Sequence, residues 1–378
     1  MINTTWQKFI FKDYTIVKDK TVLLRLDLNL PTNEGKVSDI SRLTAIIPFV
    51  EKLCNSGARV IVLSHFGEKG ESIKPIADIF IQHIPFAKFI NSIDFNEIKN
   101  EINNTKGGDA LLLENVRLFT GETDNLPSLS LAFANLGDIF INDAFSVSHR
   151  EHSSVVGIPK HLLSYFGPTF EKELSHLSKI LTPPLPALFI LGGAKISTKL
   201  GLIKKYLDQG VKVFVGGALA HNIFKQLNHE IGESLFDKNA TLSESILNNP
   251  NLFIPNDVVL ADGNVVSIQS IPKNGNIVDC GVKTIEIISN LIKDSNTIIM
   301  NGPLGLYEKG FMRGTEATLS FMAQKPTEST YIGGGDTVSA AASINALKNI
   351  GYVSLGGGAM LEYLASGTLV GLDAVTKE

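Results

Sequence analysis

Short apolar runs recur along this chain, each closed by a polar or glycine-rich turn and followed by a stretch with helical spacing. In the first half the runs are Val22–Leu30 (VLLRLDLNL), Arg59–Leu63 (RVIVL), Ala110–Leu113 (ALLL) and Asp138–Ile141 (DIFI). In the second half they are Ala187–Leu191, Val211–Val215, Val258–Leu260, Thr297–Met300, Tyr331–Ile332 and Tyr352–Leu355. Strand, polar turn and helix in repeated succession predict parallel sheets wrapped by helices. Ligands of such sheets sit at the carboxyl ends of the strands. The residues just past each run are therefore the candidate functional residues.

Those ends differ between the halves. Along Val22–Leu30 the leucines alternate with Arg25, Asp27 and Asn29, so the three polar side chains share one strand face. A solvent-facing edge strand would show the same pattern. Ser41–Asn55 reads as a helix with Ser41 at its cap. Past the other early runs lie His65, Arg117 and the group His149, Arg150 and His152, with Arg42 near the first run. Arginine presents a planar fork to carboxylate or phosphate oxygens, so this rim suits a small polyanion. His149-Arg-Glu-His152 lacks the H-E-x-x-H spacing and a third ligand, which argues against zinc.

The later runs end in glycines: Gly192-Gly193, Gly216-Gly217, Gly263, Gly302, Gly305, Gly333-Gly334-Gly335 and Gly356-Gly357-Gly358. Glycine lets backbone N–H groups approach phosphate oxygens, so a nucleotide is expected on this rim. Neither G-x-x-x-x-G-K-[ST] nor a G-x-G-x-x-G following a strand is present. Asp336 follows three glycines, where it could hold Mg²⁺ beside a phosphate cradle, cap the next helix, or do both. Lys195 and Lys199 are four apart at a predicted helix start and so share a face, as two solvated lysines also would. A cationic rim and a glycine rim together suit two-substrate phosphoryl transfer, which needs positioning and positive charge. Rims on separate domains imply a hinge, and the helical pattern Thr169–Leu181 lies between the halves.

Composition removes other classes. The net charge of −4 supplies no global field for nucleic acid or an anionic membrane. No run approaches the ~20 apolar residues of a membrane helix, and the N-terminus lacks the apolar core of a signal peptide. Cys54 and Cys280, the only cysteines, form no disulfide framework, which fits a reducing, cytoplasmic setting.

The segments R-L-D-L-N-L-P, S-H-F-G, L-E-N-V-R, N-D-A-F-x-x-x-H-R-x-H-S-S, L-G-G-A-K-x-S-x-K, N-G-P-x-G, G-G-G-D-T and the late G-G-G-A occur in one order. In that order and over nearly the full length the chain resembles the phosphoglycerate kinase family. The resemblance implies two Rossmann-like domains, each a parallel sheet flanked by helices, joined by a hinge helix. It implies a 3-phosphoglycerate-binding domain over 1–167, an interdomain helix over 168–182, and a nucleotide-binding domain over 183–365. The tail 366–378 would pack back on the first domain. By resemblance Arg25, Asp27, Asn29, Arg42, His65, Arg117 and Arg150 bind substrate. Arg42, Lys195 and Gly357 would act on the phosphoryl group in flight. Lys199, Gly217, Gly281, Asn301, Glu308, Gly333, Gly334, Gly335, Asp336 and Thr337 would hold ATP or ADP, with Asp336 at Mg²⁺. A monomer acting only on small molecules is expected.

The chain departs from the family pattern at four positions. Glu68 stands where the family has a substrate-phosphate arginine, with Lys69 next to it. Thr198 replaces an aspartate, Val282 a proline and Leu355 a threonine. An active kinase and a nucleotide-binding homologue with little catalysis are the two expectations these leave. A nicotinamide dehydrogenase is a third reading, weakened by the missing fingerprint loop.

Overall fold

The computed structural model describes residues 5–33, 36–67, 70–194 and 196–377. The chain divides into two compact units, Met1–Ser175 with Thr368–Glu378 and His176–Gly367.

Unit one is built on six parallel strands: β1 (Thr21–Arg25), β2 (Arg59–Leu63), β3 (Ala87–Ile90), β4 (Ala110–Leu113), β5 (Ile139–Asn142) and β6 (Leu163–Phe166). Their order in the sheet is β3-β4-β2-β1-β5-β6. The chain leaves β1 toward one edge and later returns to its other side, so the switch point lies between β1 and β5. Val22 and Leu24 pack with Val60, Val62 and Leu112 on one face, and Leu23 packs with Ile61, Leu111 and Phe140 on the other. β1 is therefore central, and the edge-strand alternative fails. The strand also stops at Arg25 rather than Leu30. Beyond it the alternation persists in irregular chain, with Leu26, Leu28 and Leu30 buried and Asp27 and Asn29 half-buried. The Leu28 N–H bonds the Ser64 hydroxyl at 2.9 Å instead of a backbone partner.

The helices of this unit are α1 (Ser41–Asn55), α2 (Lys74–His83), α3 (Phe95–Asn103) and α4 (Pro127–Ala134). α1 turns Leu43, Ile46, Phe49, Val50 and Leu53 inward, the spacing of an amphipathic helix. Ser41 is not its cap. It is the first helical residue, and its N–H and hydroxyl donate to Asp39 at 2.8 and 2.9 Å. The division between the units falls within α5 (Pro168–Ile180).

Unit two has a second parallel sheet and a small antiparallel one. Its strands are β7 (Ala187–Leu191), β8 (Lys212–Val215), β9 (Leu252–Phe253), β10 (Asp257–Leu260), β11 (Val265–Ser267), β12 (Ile277–Cys280), β13 (Thr297–Asn301), β14 (Thr330–Gly333) and β15 (Tyr352–Ser354). The parallel order is β9-β8-β7-β13-β14-β15, with its switch point between β7 and β13. The Val258–Leu260 run does not join it. That run pairs antiparallel with β11 and β12, and Asp262-Gly263 is the tip of the hairpin. A D-G pair between apolar runs is a hairpin signal in its own right. The helices are α6 (Leu200–Asp208), α7 (Ala218–Gln226), α8 (Glu244–Leu247), α9 (Val282–Lys293), α10 (Arg313–Met322), α11 (Gly335–Ser343) and α12 (Gly358–Ser366). Leu188, Ile190, Ile298, Met300 and Ile332 of the sheet meet Ile288, Leu291, Leu319 and Ala340 of the helices in one core.

The chain ends in α13 (Val370–Thr376), which belongs to unit one. Val370 and Ala374 pack on Ala144, Val147, Val155 and Val156, and the Gly371 N–H donates to Ser148 O at 2.8 Å.

Candidate functional site

In unit one the residues at or past the ends of β1, β2, β4 and β5 include Arg25, His65, Arg117 and Arg150. Arg25 ends β1 and is 1% exposed. Its Nε donates to the Ser154 hydroxyl at 3.0 Å and its Nη1 to Leu26 O at 2.5 Å. Burial pulls its pKa down to about 10, against the opposing pull of Glu122. His65, just past β2, is also buried, and its Nδ1 has no hydrogen-bond partner. Burial pushes its pKa down to about 2, helped by Arg25, Arg117, Arg150 and His152 around it. His152 is lowered to about 4 by burial and by the same arginines. The two histidines are therefore neutral at physiological pH, and the positive charge of the cluster is arginine charge.

A second knot lies alongside. Asp27 Oδ2 accepts from Arg42 Nη1 at 2.8 Å and from the Ser146 hydroxyl at 2.5 Å. Arg42 also reaches Asn29 O at 3.3 Å, and Asn29 Oδ1 accepts the Gly67 N–H at 3.0 Å. Arg117 donates to Gly67 O from the other side. The structure thus links Asp27, Asn29 and Arg42 with one another, and links Arg25, His65, Arg117 and Arg150 electrostatically. Glu68 and Lys69 lie outside the described residues.

Unit two holds a mostly apolar cleft of about 310 Å³. Leu235, Pro255, Val258, Val278, Leu304 and Tyr307 supply apolar wall, and Gly193, Gly217, Glu308 and Asp336 also line it. Shape and lining suit a flat heterocycle with a charged tail. The glycines of this rim have two different physical causes. A Cβ on Gly192 would sit 2.1 Å from Pro303 O, and one on Gly281 would sit 2.3 Å from Asp257 Cγ. These glycines let turns and caps pack. A Cβ on Gly333 would likewise meet Met360 Sδ. Gly335 opens α11 with nothing within 4 Å of the same position, and Gly357, just before α12, is equally open with φ +52°. Both stand at helix starts, where backbone N–H groups are unpaired and the dipole favours anions.

Other candidates of this unit face inward. The Thr337 hydroxyl, fully buried, accepts the Gly302 N–H at 2.9 Å, and Asn301 is 4% exposed beside Met360. Gly334 has φ +93° between β14 and α11. Lys199 does not lie within a helix face as predicted. α6 begins one residue later, and Lys199 Nζ donates to Gly192 O at 2.6 Å across the turn. Burial lowers its pKa to about 8. Lys195 lies outside the described residues. Asp336 is exposed in the first turn of α11. Among the described residues no group of three metal-ligating side chains occurs, His149 and His152 included.

Several residues that hold these ends were not singled out by sequence. Glu114 accepts from the Ile73 and Asn115 N–H groups at 2.8 and 2.7 Å, and Asn115 Nδ2 donates to Phe66 O and Glu71 O, both at 2.6 Å. Together they pin Phe66, Glu71 and Ile73. Glu122 accepts from the Ser154 N–H and hydroxyl at 3.0 and 2.5 Å. Asp279 accepts the Cys280 and Gly314 N–H groups at 2.9 and 3.2 Å, fixing the start of α10 under the cleft. Glu114-Asn115 stood in the sequence as a strand-end pair, whereas nothing local marked Glu122.

The fold is that of a two-domain α/β protein, with a cluster of arginines and histidines at and past the strand ends of one parallel sheet and a glycine-bordered cleft past those of the other. The phosphoglycerate kinase family model matches residues 11–367. A phosphoglycerate kinase of Thermosipho africanus is 35% identical, with 98% of each chain covered. The solved phosphoglycerate kinase of Coxiella burnetii aligns with a TM-score of 0.79 at 31% identity, covering 96% of this chain and 97% of that one. That of Pyrococcus horikoshii aligns with a TM-score of 0.82 at 26% identity, covering 95% and 96%. The chain belongs to the phosphoglycerate kinase family, and its activity is phosphoryl transfer.

Proposed function

We propose that unit one takes the phosphoglycerate and unit two the magnesium nucleotide, for the reversible reaction of 1,3-bisphosphoglycerate with ADP to give 3-phosphoglycerate and ATP. The observation that carries this assignment is the chemical contrast between the strand ends. Arginine charge gathers around neutral histidines in unit one. An apolar cleft and two sterically open helix starts stand in unit two. Arg25, Asp27, Asn29, His65, Arg117 and Arg150 would bind the acid and its phosphate. Arg42 and Lys195, with the α12 start at Gly357, would stabilise the phosphoryl group in transfer. Lys199, Gly217, Gly281, Asn301, Glu308, Gly333, Gly334, Gly335 and Thr337 would form or support the nucleotide surface.

Asp336 fits a Mg²⁺ brought in by the nucleotide. One exposed carboxylate, in no group of three metal-ligating side chains among the described residues, suits a hard cation held mainly by phosphate oxygens and water. When bound, the ion would neutralise negative charge on the nucleotide's phosphates. The proposed setting is a monomer in the cytoplasm. Both cysteines are free and buried, which accords with a reducing compartment. No helix among the described residues is long and apolar enough to cross a membrane.

Three of the four departures lie at described positions. Val282 is the first residue of α9, 44% exposed, at a position proline favours but does not own. Leu355 lies between β15 and α12, where Ser354 Oγ accepts the Gly356 N–H at 3.1 Å. Thr198 is exposed in the turn before α6. Nothing observed favours the binding-only homologue.

A coupled assay tests the proposal: Mg-ATP and 3-phosphoglycerate are supplied, and 1,3-bisphosphoglycerate is drained by a dehydrogenase with NADH loss followed. Turnover that disappears in Lys195→Ala and Arg42→Ala is expected. Absent turnover in protein that still binds Mg-ADP by calorimetry would instead establish the binding-only homologue. Glu68→Arg is expected to lower the KM for 3-phosphoglycerate, since it restores a charged contact.

A further inference from the structure

The turn 196–199, between β7 and α6, is held by a carboxylate from another part of unit two. Asp237 Oδ2 accepts the Ser197 N–H at 3.2 Å and the Ser197 hydroxyl at 2.5 Å. Asp237 is itself pinned. Its N–H donates to Asn222 Oδ1 at 2.9 Å, and Asn222 Nδ2 donates back to Asp237 O at 2.6 Å. Asn222 is 4% exposed on α7, so this anchor is rigid. Its neighbour His221 holds the same loop, with Nδ1 2.7 Å from Leu235 O. Leu235 and His221 both line the cleft, as does Gly217 before the first turn of α7. The Leu219 N–H of that first turn donates to Gly193 O at 3.1 Å. α7 thus fastens Gly193 directly and Ser197 through Asp237.

Ser197 lies two residues from Lys195 and two from Lys199 in the sequence. The turn is not helical, so no helical hydrogen-bond ladder keeps it in place. Charge-assisted hydrogen bonds to a carboxylate are the stronger kind and fix both donor direction and distance. Phosphoryl transfer is governed by such positioning, and a misplacement of about 1 Å can cost about a hundredfold.

We infer that Asp237 is a positioning residue for the phosphoryl transfer: through Ser197 it holds the turn that carries Lys199 and that follows Lys195 in the chain, and it is held in turn by the helix that borders the nucleotide cleft. The inference rests on the kinase reading given above. Asp237 works here as a hydrogen-bond acceptor, so an amide oxygen should replace it while a methyl should not. Asp237→Ala and Ser197→Ala are expected to lower kcat at least about tenfold, with the KM values changed less than about threefold. Asp237→Asn is expected to recover most of kcat. Amide hydrogen exchange in the 194–199 segment should quicken in Asp237→Ala and stay near wild type in Asp237→Asn.

Wild-type turnover combined with an unchanged kcat in Asp237→Ala overturns the inference and leaves the kinase reading intact. So does a loss of kcat in Asp237→Ala with exchange in 194–199 unaltered, or a failure of Asp237→Asn to recover. Wild-type protein without turnover overturns both. Thermal melts of the variants identify any general loss of fold, and Ser197→Ala, at an exposed position, provides the second route to the same answer.

Discussion

Arg25 and Glu122 are joined through one hydroxyl: Arg25 Nε donates to Ser154 Oγ at 3.0 Å, and Ser154 Oγ donates to Glu122 Oε1 at 2.5 Å. Both charged groups are 1% exposed. The central strand of unit one therefore ends in a buried cation whose nearby anion comes from a distant loop. Removing one member of a buried pair leaves the other charge uncompensated, which costs about 3–5 kcal/mol. Glu122→Gln, which removes the charge and one of the two acceptor oxygens at Ser154, is expected to destabilise the protein by about 3 kcal/mol. Urea unfolding measures this, and a loss below about 1 kcal/mol would show that Arg25 has other compensation.

Asp27 and Arg42 meet at 2.8 Å, with Ser146 on the same carboxylate oxygen. Arg42 is about a third exposed, so solvent screens the pair and its share of stability is small. Its value lies in aiming the guanidinium. Asp27→Asn is expected to cost about 1 kcal/mol or less in stability and to lower kcat at least about tenfold. Steady-state kinetics beside a thermal melt would separate the two; a kcat equal to wild type would rule out the aiming role.

Burial raises Asp143 from the ordinary 3.8 to about 7. The folded state then holds this proton more tightly than the unfolded chain does. Its contribution favours folding below about pH 4 and is lost as pH rises through about 7. Asp143→Asn keeps an oxygen for the Phe170 N–H, now 2.8 Å away, and does not titrate. The variant should gain stability relative to wild type between pH 5 and pH 8. A stability difference that is flat across that range would contradict the assignment.

His65 has the opposite sign. Burial and the arginines around it depress its pKa from 6.5 to about 2, so the unfolded chain takes up this proton first. Its contribution is present above about pH 6.5 and is lost progressively as pH falls below it. His65→Asn is therefore expected to soften the acid-side fall of the stability curve. An unaltered slope between pH 6.5 and pH 4 would show that His65 does not drive it.

The two kinds of glycine predict two kinds of mutant. Gly192→Ala places a methyl 2.1 Å from Pro303 O and should destabilise unit two by several kcal/mol, about 3 or more. Gly335→Ala meets nothing within 4 Å and should leave stability within about 1 kcal/mol of wild type. It should weaken nucleotide binding about tenfold, because the added methyl crowds a phosphate brought to the start of α11. Calorimetry with Mg-ADP decides this, and unchanged affinity would remove Gly335 from the nucleotide surface.

Sequence alone determined the repeating strand–turn–helix order, the parallel sheets and the contrast between arginine-rich and glycine-rich strand ends. These are local properties: an apolar run of strand length and the residue that follows it are adjacent in the chain, so one stretch carries the signal. Motifs in one order sufficed for the family resemblance for the same reason. Strand length was legible only in part. Val22–Leu30 alternates over nine residues, but the sheet ends at Arg25 because neighbouring chains leave the ladder there. The Val258–Leu260 run looked like another parallel strand, and its antiparallel pairing depends on partners drawn from elsewhere in the chain.

What only the tertiary structure decided is which polar residues hold the others. Glu122 reaches Ser154 across 32 residues, Glu114 reaches Ile73 across 41, and Asp237 reaches Ser197 across 40. No periodicity links such positions, since each pairing is set by how sheets and loops pack. The meaning of a glycine is likewise non-local. Gly192 and Gly335 look alike in the sequence, yet one is required by a facing carbonyl and the other faces open space. A residue's neighbours in the chain reveal its element; its neighbours in space determine its charge state, its freedom and its role.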